Sequence, residues 1–466
     1  MVFSTPIFLF IFLPAVLTLY YAFHRAGRTY HNVLLFAASI FFYAWGEPTV
    51  VFLMLLSIFA NWGFGLLVHR PNGMFRGKAA VALAALYNMG MLFVFKYLAF
   101  ATANLGLLFH ASFPMVRIAL PIGISFFSFQ SLSYVIDVYR GAGTVQRNPL
   151  NVGLYIAFFP QLIAGPIVRY QTIATEILDR HENWDDFSRG ACRFIVGLAK
   201  KIILANQMAV VADMAFAAPA GMSTATAWLG TVAYAFQIYF DFSGYSDMAI
   251  GLGRMFGFHF LENFNHPYVA RSITEFWRRW HISLSTWFRD YVYFPMGGSR
   301  VATRTRLVFN LFAVWMLTGI WHGANWTFVL WGFFYFALLT AEKLTRFDQR
   351  LGRFGHLYAM LFVLIGWVLF RAPSVSAALA YLGVMFGVSP APLVDGTFVF
   401  YLLDYKVYFI GAFVCSLPLA QSSWKEQLMR SRTGEVLYVA GISLMFLLSI
   451  SFMIKSDYNP FIYFNF

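Results

Sequence analysis

An all-α integral membrane protein is the fold class the sequence predicts, on three observations. Of 466 residues, 60% are hydrophobic and only 11% are charged, more apolar surface than soluble domains bury. Apolar runs recur along the chain near the roughly 20 residues that a helix needs to cross a bilayer core of about 30 Å. The charged residues gather between those runs, and no polar block is long enough to fold separately. One polytopic membrane domain over residues 1–466 is therefore expected.

The first run, VFSTPIFLFIFLPAVLTLYYAF, has no basic residue before it and no small-residue cleavage site behind it, so a retained first helix is expected. Further segments are predicted near 31–46, 49–68, 79–100, 118–138, 190–217, 226–256, 307–321, 325–342, 357–371, 406–418 and 434–454. Runs of 13–16 residues are too short to cross unaided, so the architecture predicted is about 11 spans plus re-entrant and interfacial helices. The stretch YIAFFPQLIAGPIVRY carries Pro160, Gly165 and Pro166. Broken backbone at membrane depth is tolerated where protein buries it or where it lines a wet cavity, so an interior cavity is expected.

The net charge of +13 raises the question of nucleic acid, but position along the chain answers against it. Arg25 and Arg28 follow the first run, and Arg70, Arg76 and Lys78 follow the third. By the positive-inside tendency those loops are cytoplasmic and the N-terminus is outside. The same threading puts Arg140 and Arg147, Arg169 to Lys201, Arg271 to Arg306, Lys343 to Arg353 and Lys425 to Arg432 in the cytoplasm. Asp395 and Asp404 then fall in an outside loop, and the closing NPFIYFNF ends outside. Cys192 and Cys415 form no spacing pattern, so neither a disulfide framework nor a metal site is implied.

The region 271–298, RSITEFWRRWHISLSTWFRDYVYFPMGG, reads as an amphipathic, cytoplasmic-side helical region. On a helix Phe276, Trp280, Leu284, Trp287 and Tyr291 share an apolar face, with Arg278, His281 and Ser285 on another. Seven arginines and no lysine occur from Arg271 to Arg306. They either snorkel to headgroups or, with planar guanidiniums, contact the phosphates of a donor.

Of the ten histidines, His322 alone has uncharged, strongly apolar sequence on both sides, in LTGIWHGANWTFVLWG. An ionisable group at such depth is a functional-site hypothesis, and the alternative is a histidine hydrogen-bonded between helices. Burial favours the neutral imidazole, the form that a general base requires. Asp241 and Asp247, in QIYFDFSGYSDMAIG, lie six residues apart and share no helical face. Packing through Ser243, Gly244 and Ser246 is the expected role of that stretch. GxSxG, GxxxxGK[ST], GxGxxG and HExxH are absent, and the HxxxxD spacing of His181 and Asp186 lies in the polar stretch DRHENWDD, where it reads as coincidence.

The stretches YFDFSGYSDMAIGLG, LENFNHPYVARSITEFWRRWHISLSTWFRDYVY and LTGIWHGANWTFVLWG together resemble the signature regions of the membrane-bound O-acyltransferase family. MVFSTPIFLFIFLP, FFYAWGEP, LPIGISFFSFQSLSYVIDVYRG, FFPQLIAGPIVRY and NPFIYFNF also fit, in order and nearly end to end. The likeness is greatest to the bacterial acetyl branch that modifies alginate-like exopolysaccharide or peptidoglycan. The resemblance implies a helical shell around a transmembrane funnel in a bacterial inner membrane. It implies His322 and His281 as catalytic residues, with Arg278, Arg279, Arg289 and Ser285 toward the donor and Trp321, Asn325, Asp241 and Tyr245 along the funnel. It also implies acetyl-CoA as donor substrate with no bound cofactor or metal, a glycan acceptor, and a separate periplasmic acetyltransferase or polysaccharide-modification partner. D-alanyl transfer, as in teichoic-acid modification, is the close alternative. Two other classes stand beside it: a transporter, disfavoured by scattered intramembrane charges without paired half-helix repeats, and an enzyme acylating lipid.

The charge pattern yields a topology to test. Reporters inserted at 69–78 and 299–305 are expected to be cytoplasmic, and those at 391–396 and the C-terminus outside, by cysteine labelling in intact cells. An outside position for 299–305 would overturn a cytoplasmic donor.

Overall fold

The computed structural model describes every residue except 70–73, 112–117, 218–220, 422–430, 456–457, 461 and 463–466, and not the side chains of 74–76, 420 and 421. Arg70, Lys425, Arg430 and most of FIYFNF, all used in the topology argument, lie outside the described residues. The described residues form an all-α protein without strands.

Seven helical segments among them are long and apolar enough to cross a bilayer: Val51–His69, Gly77–Phe109, Trp184–Ala217, Trp326–Thr345, Gly352–Arg371, Gly396–Ser416 and Arg432–Lys455. Phe8–Ala22 and Val375–Met385 are apolar but shorter. Many outward side chains on these helices are large and apolar, Phe52, Leu86, Val407 and Leu447 among them, as lipid contact requires.

The chain divides into two compact units, Met1–Phe194 with Ser246–Leu261, and Ile195–Tyr245 with Glu262–Phe466. In the first unit the helices are α1 (Leu13–Ala22), α2 (Arg28–Ala44), α3 (Val51–His69), α4 (Met74–Leu92), α5 (Leu98–Phe109), α6 (Ile124–Arg140), α7 (Pro149–Ala157), α8 (Phe159–Leu162) and α9 (Tyr170–Leu178). The helices α10 (Trp184–Ala199) and α12 (Thr224–Met255) run across the division. The interrupted stretch around Pro160 and Pro166 folds as α7, α8 and an irregular turn, buried from Asn151 to Val168. Side chains satisfy its open backbone: the Phe159 N–H donates to Ser39 Oγ at 3.0 Å, and Tyr155 Oη donates to the Val168 carbonyl at 2.9 Å. Burial in protein is thus what makes this backbone tolerable.

The second unit contains α11 (Asn206–Ala217), α13 (Ile273–Arg279), α14 (Ile282–Phe288), α15 (Arg304–His322), α16 (Trp326–Thr345), α17 (Gly355–Arg371), α18 (Val375–Met385), α19 (Gly396–Ser416) and α20 (Arg432–Lys455). Helices α15 and α16 cross closely because glycines face each other. A Cβ on Gly319 would lie 2.5 Å from the Phe328 carbonyl, and one on Gly332 would lie 2.6 Å from that of Trp315. Tryptophan and tyrosine rings from α13, α16 and α17 fill the space beneath the hairpin.

Two expectations change here. The 406–418 segment is the second half of the 21-residue α19, which runs through Asp404 and is capped by Asp395, whose carboxylate accepts the Phe398 N–H at 2.8 Å. Asp404 is therefore helical and exposed, because a helix keeps its backbone paired while one charged side chain reaches outward. The single amphipathic helix expected over 271–298 is instead two short helices, α13 and α14, meeting at His281.

Candidate active site

The break between α13 and α14 brings His281 inward. Its backbone is left-handed, with φ of 45°, a conformation that costs a non-glycine residue about 1–2 kcal/mol. The turn is held from outside the helices. Asn263 accepts the Ile282 N–H at its backbone carbonyl at 2.9 Å. Its side-chain oxygen accepts from Ser283 N–H at 3.2 Å and Ser283 Oγ at 2.8 Å. That oxygen also meets His281 Nδ1 at 3.2 Å. Since an amide oxygen only accepts, Nδ1 carries the proton, and the neutral ring presents its lone pair at Nε2. Only 1% of His281 is exposed, and it lies outside the crossing helices. Burial pushes its pKa down to about 3, so the neutral form persists at working pH.

His322 ends α15 and is also buried. Its ring packs edge-on against Trp321, Trp331 and Phe370, with centroids 5.0, 5.0 and 5.1 Å away. Both histidines line one enclosed cavity of about 20 Å³, walled by Trp277, Trp280, Trp331 and Trp367 and reached by Ile462. That volume holds about one water molecule.

His281 and Trp277 also line a second cavity of about 270 Å³. Its cations are Arg278, Arg289 and Lys343, and Thr274 and Ser285 add hydroxyls. The second unit therefore sets a basic chamber beside a small aromatic one, with His281 and Trp277 in the wall of both.

The residues singled out from sequence do not all converge. Arg278, Ser285 and Arg289 meet His281 in the basic chamber. Arg279 turns away, ion-paired to Glu275 at 2.9 Å and donating to the Asn265 carbonyl at 3.1 Å. Trp321 touches both imidazoles, its centroid 6.2 Å from that of His281. Asn325 caps α16, accepting the Thr327 N–H at 3.1 Å and donating to the Pro373 carbonyl at 2.9 Å. Asp241 is buried against Lys201 at 2.6 Å and accepts the Ile462 N–H at 2.9 Å, which puts it one residue behind the histidine cavity. Tyr245 is buried on α12. Asp247 pairs with Arg193 at 2.8 Å in the first unit, so the two α12 carboxylates serve different cations. Gly244 packs against the Gly197 carbonyl. His181 is exposed, while Asp186 receives a 2.8 Å hydrogen bond from Asn183.

Sequence reasoning missed Asn263, Lys343 and Glu342. Glu342 is the only acid of α16, and it is 3% exposed. Its two oxygens accept the Ile273 N–H at 2.7 Å, the Thr274 N–H at 2.8 Å, Thr274 Oγ1 at 2.6 Å and Tyr358 Oη at 3.1 Å. It thereby anchors the start of α13, which carries Trp277 and Arg278 and ends at the His281 turn. A lone acid at the end of an apolar run was the available signal.

Residues 37–381 match the profile of the membrane-bound O-acyltransferase family, and the chain belongs to that family. It is an O-acyltransferase. The chain is 39% identical, over all of both chains, to a Pseudomonas putida protein named "Probable alginate O-acetylase AlgI". It is 31% identical to the peptidoglycan O-acetyltransferase of Helicobacter pylori, over all of this chain and 98% of that one. Over 47% of this chain and 58% of the other, it is 31% identical to the teichoic acid D-alanyltransferase of Bacillus subtilis.

Removal of the Glu342 carboxylate leaves one buried and one part-buried N–H donor unpaired, at about 1–3 kcal/mol for the buried one. Glu342→Ala is expected to lower stability by at least about 1 kcal/mol, read as the melting temperature in detergent. A melting temperature equal to wild type would mean that α13 finds its anchor elsewhere.

Proposed function

We propose that this protein takes an acetyl group from cytoplasmic acetyl-CoA and passes it through the membrane for O-acetylation of an exopolysaccharide or cell-wall glycan outside. The observation that carries this reading is the place of His281 between a cationic chamber and the closed aromatic cavity of His322. The names of the relatives that align over the whole chain favour acetyl over D-alanyl transfer.

In this mechanism the donor's phosphates lie against Arg278, Arg289 and Lys343, where guanidiniums and an ammonium offset their charge. The thioester reaches past Trp277 toward the histidines. A cavity that fits one water is too small for an acetyl group, so the aromatic wall moves when the donor enters. His322 then takes the proton of an acceptor hydroxyl as its oxygen attacks the thioester carbonyl. The tetrahedral intermediate collapses, the C–S bond breaks, and the proton leaves with the CoA thiolate. Transient acylation of the imidazole, followed by attack of the hydroxyl, gives the same balance. His281, fixed by Asn263, orients the donor or the partner imidazole through Nε2. On the outer side a separate periplasmic transferase moves the acetyl group from that ester to a glycan hydroxyl, whose proton returns to the first acceptor as its hydroxyl is regenerated. Both termini lie outside and the membrane is the bacterial inner membrane.

Radiolabelled acetyl-CoA supplied to membranes containing the protein tests the reading. Label on an external acceptor supports it; label from a D-alanyl donor alone, or solute flux without label, overturns it. In that assay His322→Ala is expected to cut transfer by about 10²–10⁴-fold with the fold retained. His322→Gln should be equally impaired, because an amide forms hydrogen bonds but takes no proton at neutral pH. Near-normal turnover of the Gln variant would remove His322 from the chemistry.

The basic chamber makes a separate demand. Arg278→Gln with Lys343→Gln is expected to raise KM for acetyl-CoA more than it lowers kcat, the mark of contacts equal in ground and transition states. An unchanged KM would reduce these cations to interfacial anchors.

A further inference from the structure

We infer that the second unit holds an anionic glycerophospholipid of the surrounding bilayer in a slot apart from both histidine cavities. The slot has a volume of about 670 Å³, within the roughly 300–1,000 Å³ typical of ligand sites. Along α17, His356, Met360, Val363 and Leu364 line it, the spacing of one helical face, which extends about 12 Å at 1.5 Å per residue. Val232 and Phe236 of α12 and Phe413 of α19 close its sides with apolar surface.

Polarity is confined to one end. Arg271 and Arg353 stand at the mouth beside His356, whose Nδ1 meets the Ala270 carbonyl at 3.1 Å. Neither arginine has an acid within 4.0 Å among the described residues. Glu275, the acid nearest Arg271 in sequence, is ion-paired to Arg279 and accepts the Arg271 backbone N–H at 2.9 Å, not its guanidinium. A 3-10 turn over Gly352–Phe354 leads into α17 and carries Arg353, with the Gly355 N–H donating to the Gly352 carbonyl. The mouth is tightly built, since a Cβ on Gly355 would lie 2.6 Å from the Arg271 carbonyl.

Two guanidiniums with no acid within 4.0 Å among the described residues call for an anion, and the slot behind them calls for a hydrocarbon chain. One molecule supplies both: a lipid with a phosphodiester headgroup at the arginines and an acyl chain along α17. Free phosphate would leave the apolar slot empty, and a zwitterionic lipid would set a cation against the arginines. The occupant would also brace the histidine site. Tyr268, in the slot wall, packs on Phe276 and Trp280, with centroids 6.1 and 6.2 Å away, and Trp280 walls the histidine cavity.

Native mass spectrometry of the full chain, equilibrated with phosphatidylglycerol or phosphatidylcholine of matched chains, tests this without reference to acyl transfer. Phosphatidylglycerol is expected to be retained preferentially. Arg271→Gln with Arg353→Gln should weaken its retention by about 30-fold, roughly what two juxtamembrane arginines contribute to anionic-lipid attraction. Met360→Trp, which fills the slot and leaves the mouth, should abolish retention as well. Equal retention of the two lipids by the wild-type chain overturns the inference, as does displacement of phosphatidylglycerol by millimolar inorganic phosphate. Because the wild-type comparison needs no variant, misfolding of a variant leaves the test intact.

Discussion

The site depends on how one break in the helical backbone is satisfied in the protein interior. Where α13 stops and α14 starts, several N–H groups lose their helical partners, and burial leaves no bulk water to replace them. Asn263, distant in sequence, meets that demand by accepting the Ile282 and Ser283 N–H groups. Glu342 separately anchors the start of α13 by accepting its first two amides. Without them the left-handed turn at His281 would have little to hold it, and the ring would follow the arginines toward the surface.

The same bonds decide the chemistry of the imidazole. Asn263 is both the staple of the turn and the acceptor for Nδ1, so a single amide fixes backbone, ring orientation and tautomer. The aromatic packing works at longer range. Trp277 packs edge-on against Trp315, Trp331 and Tyr335, and Trp280 lies against Trp367, so aromatic packing from α15, α16 and α17 holds the two tryptophans that wall the histidine cavity. Little polar surface reaches that space besides the two imidazoles. An acyl ester formed there would be shielded from hydrolysis until it moved on.

The basic chamber and the slot along α17 place arginines of one short stretch of chain in two settings. Arg278 lines the basic chamber with His281, Arg279 is spent on Glu275 and Asn265, and Arg271 lines a slot of different character. Adjacent positions on a short helix point in different directions, and only the packing against α16 and α17 determines which direction leads to a cavity.

The sequence by itself determined the membrane class, most segment positions and the isolation of His322. These rest on composition and on flanking apolar sequence, which lipid solvation makes legible. It also pointed to the buried, broken stretch around Pro160 and Pro166. The burial of His281 was not legible, because Arg278 and Arg279 beside it give the sequence the look of a surface helix. A left-handed residue and its anchors leave no periodic signal. Asn263 and Glu342, 18 residues before and 61 after His281, become its neighbours only through the fold. Tertiary structure alone decided that two histidines share a cavity and that one arginine of an adjacent pair reaches the basic chamber beside it. It did so because contacts between helices, not preferences within one, set the direction of each side chain.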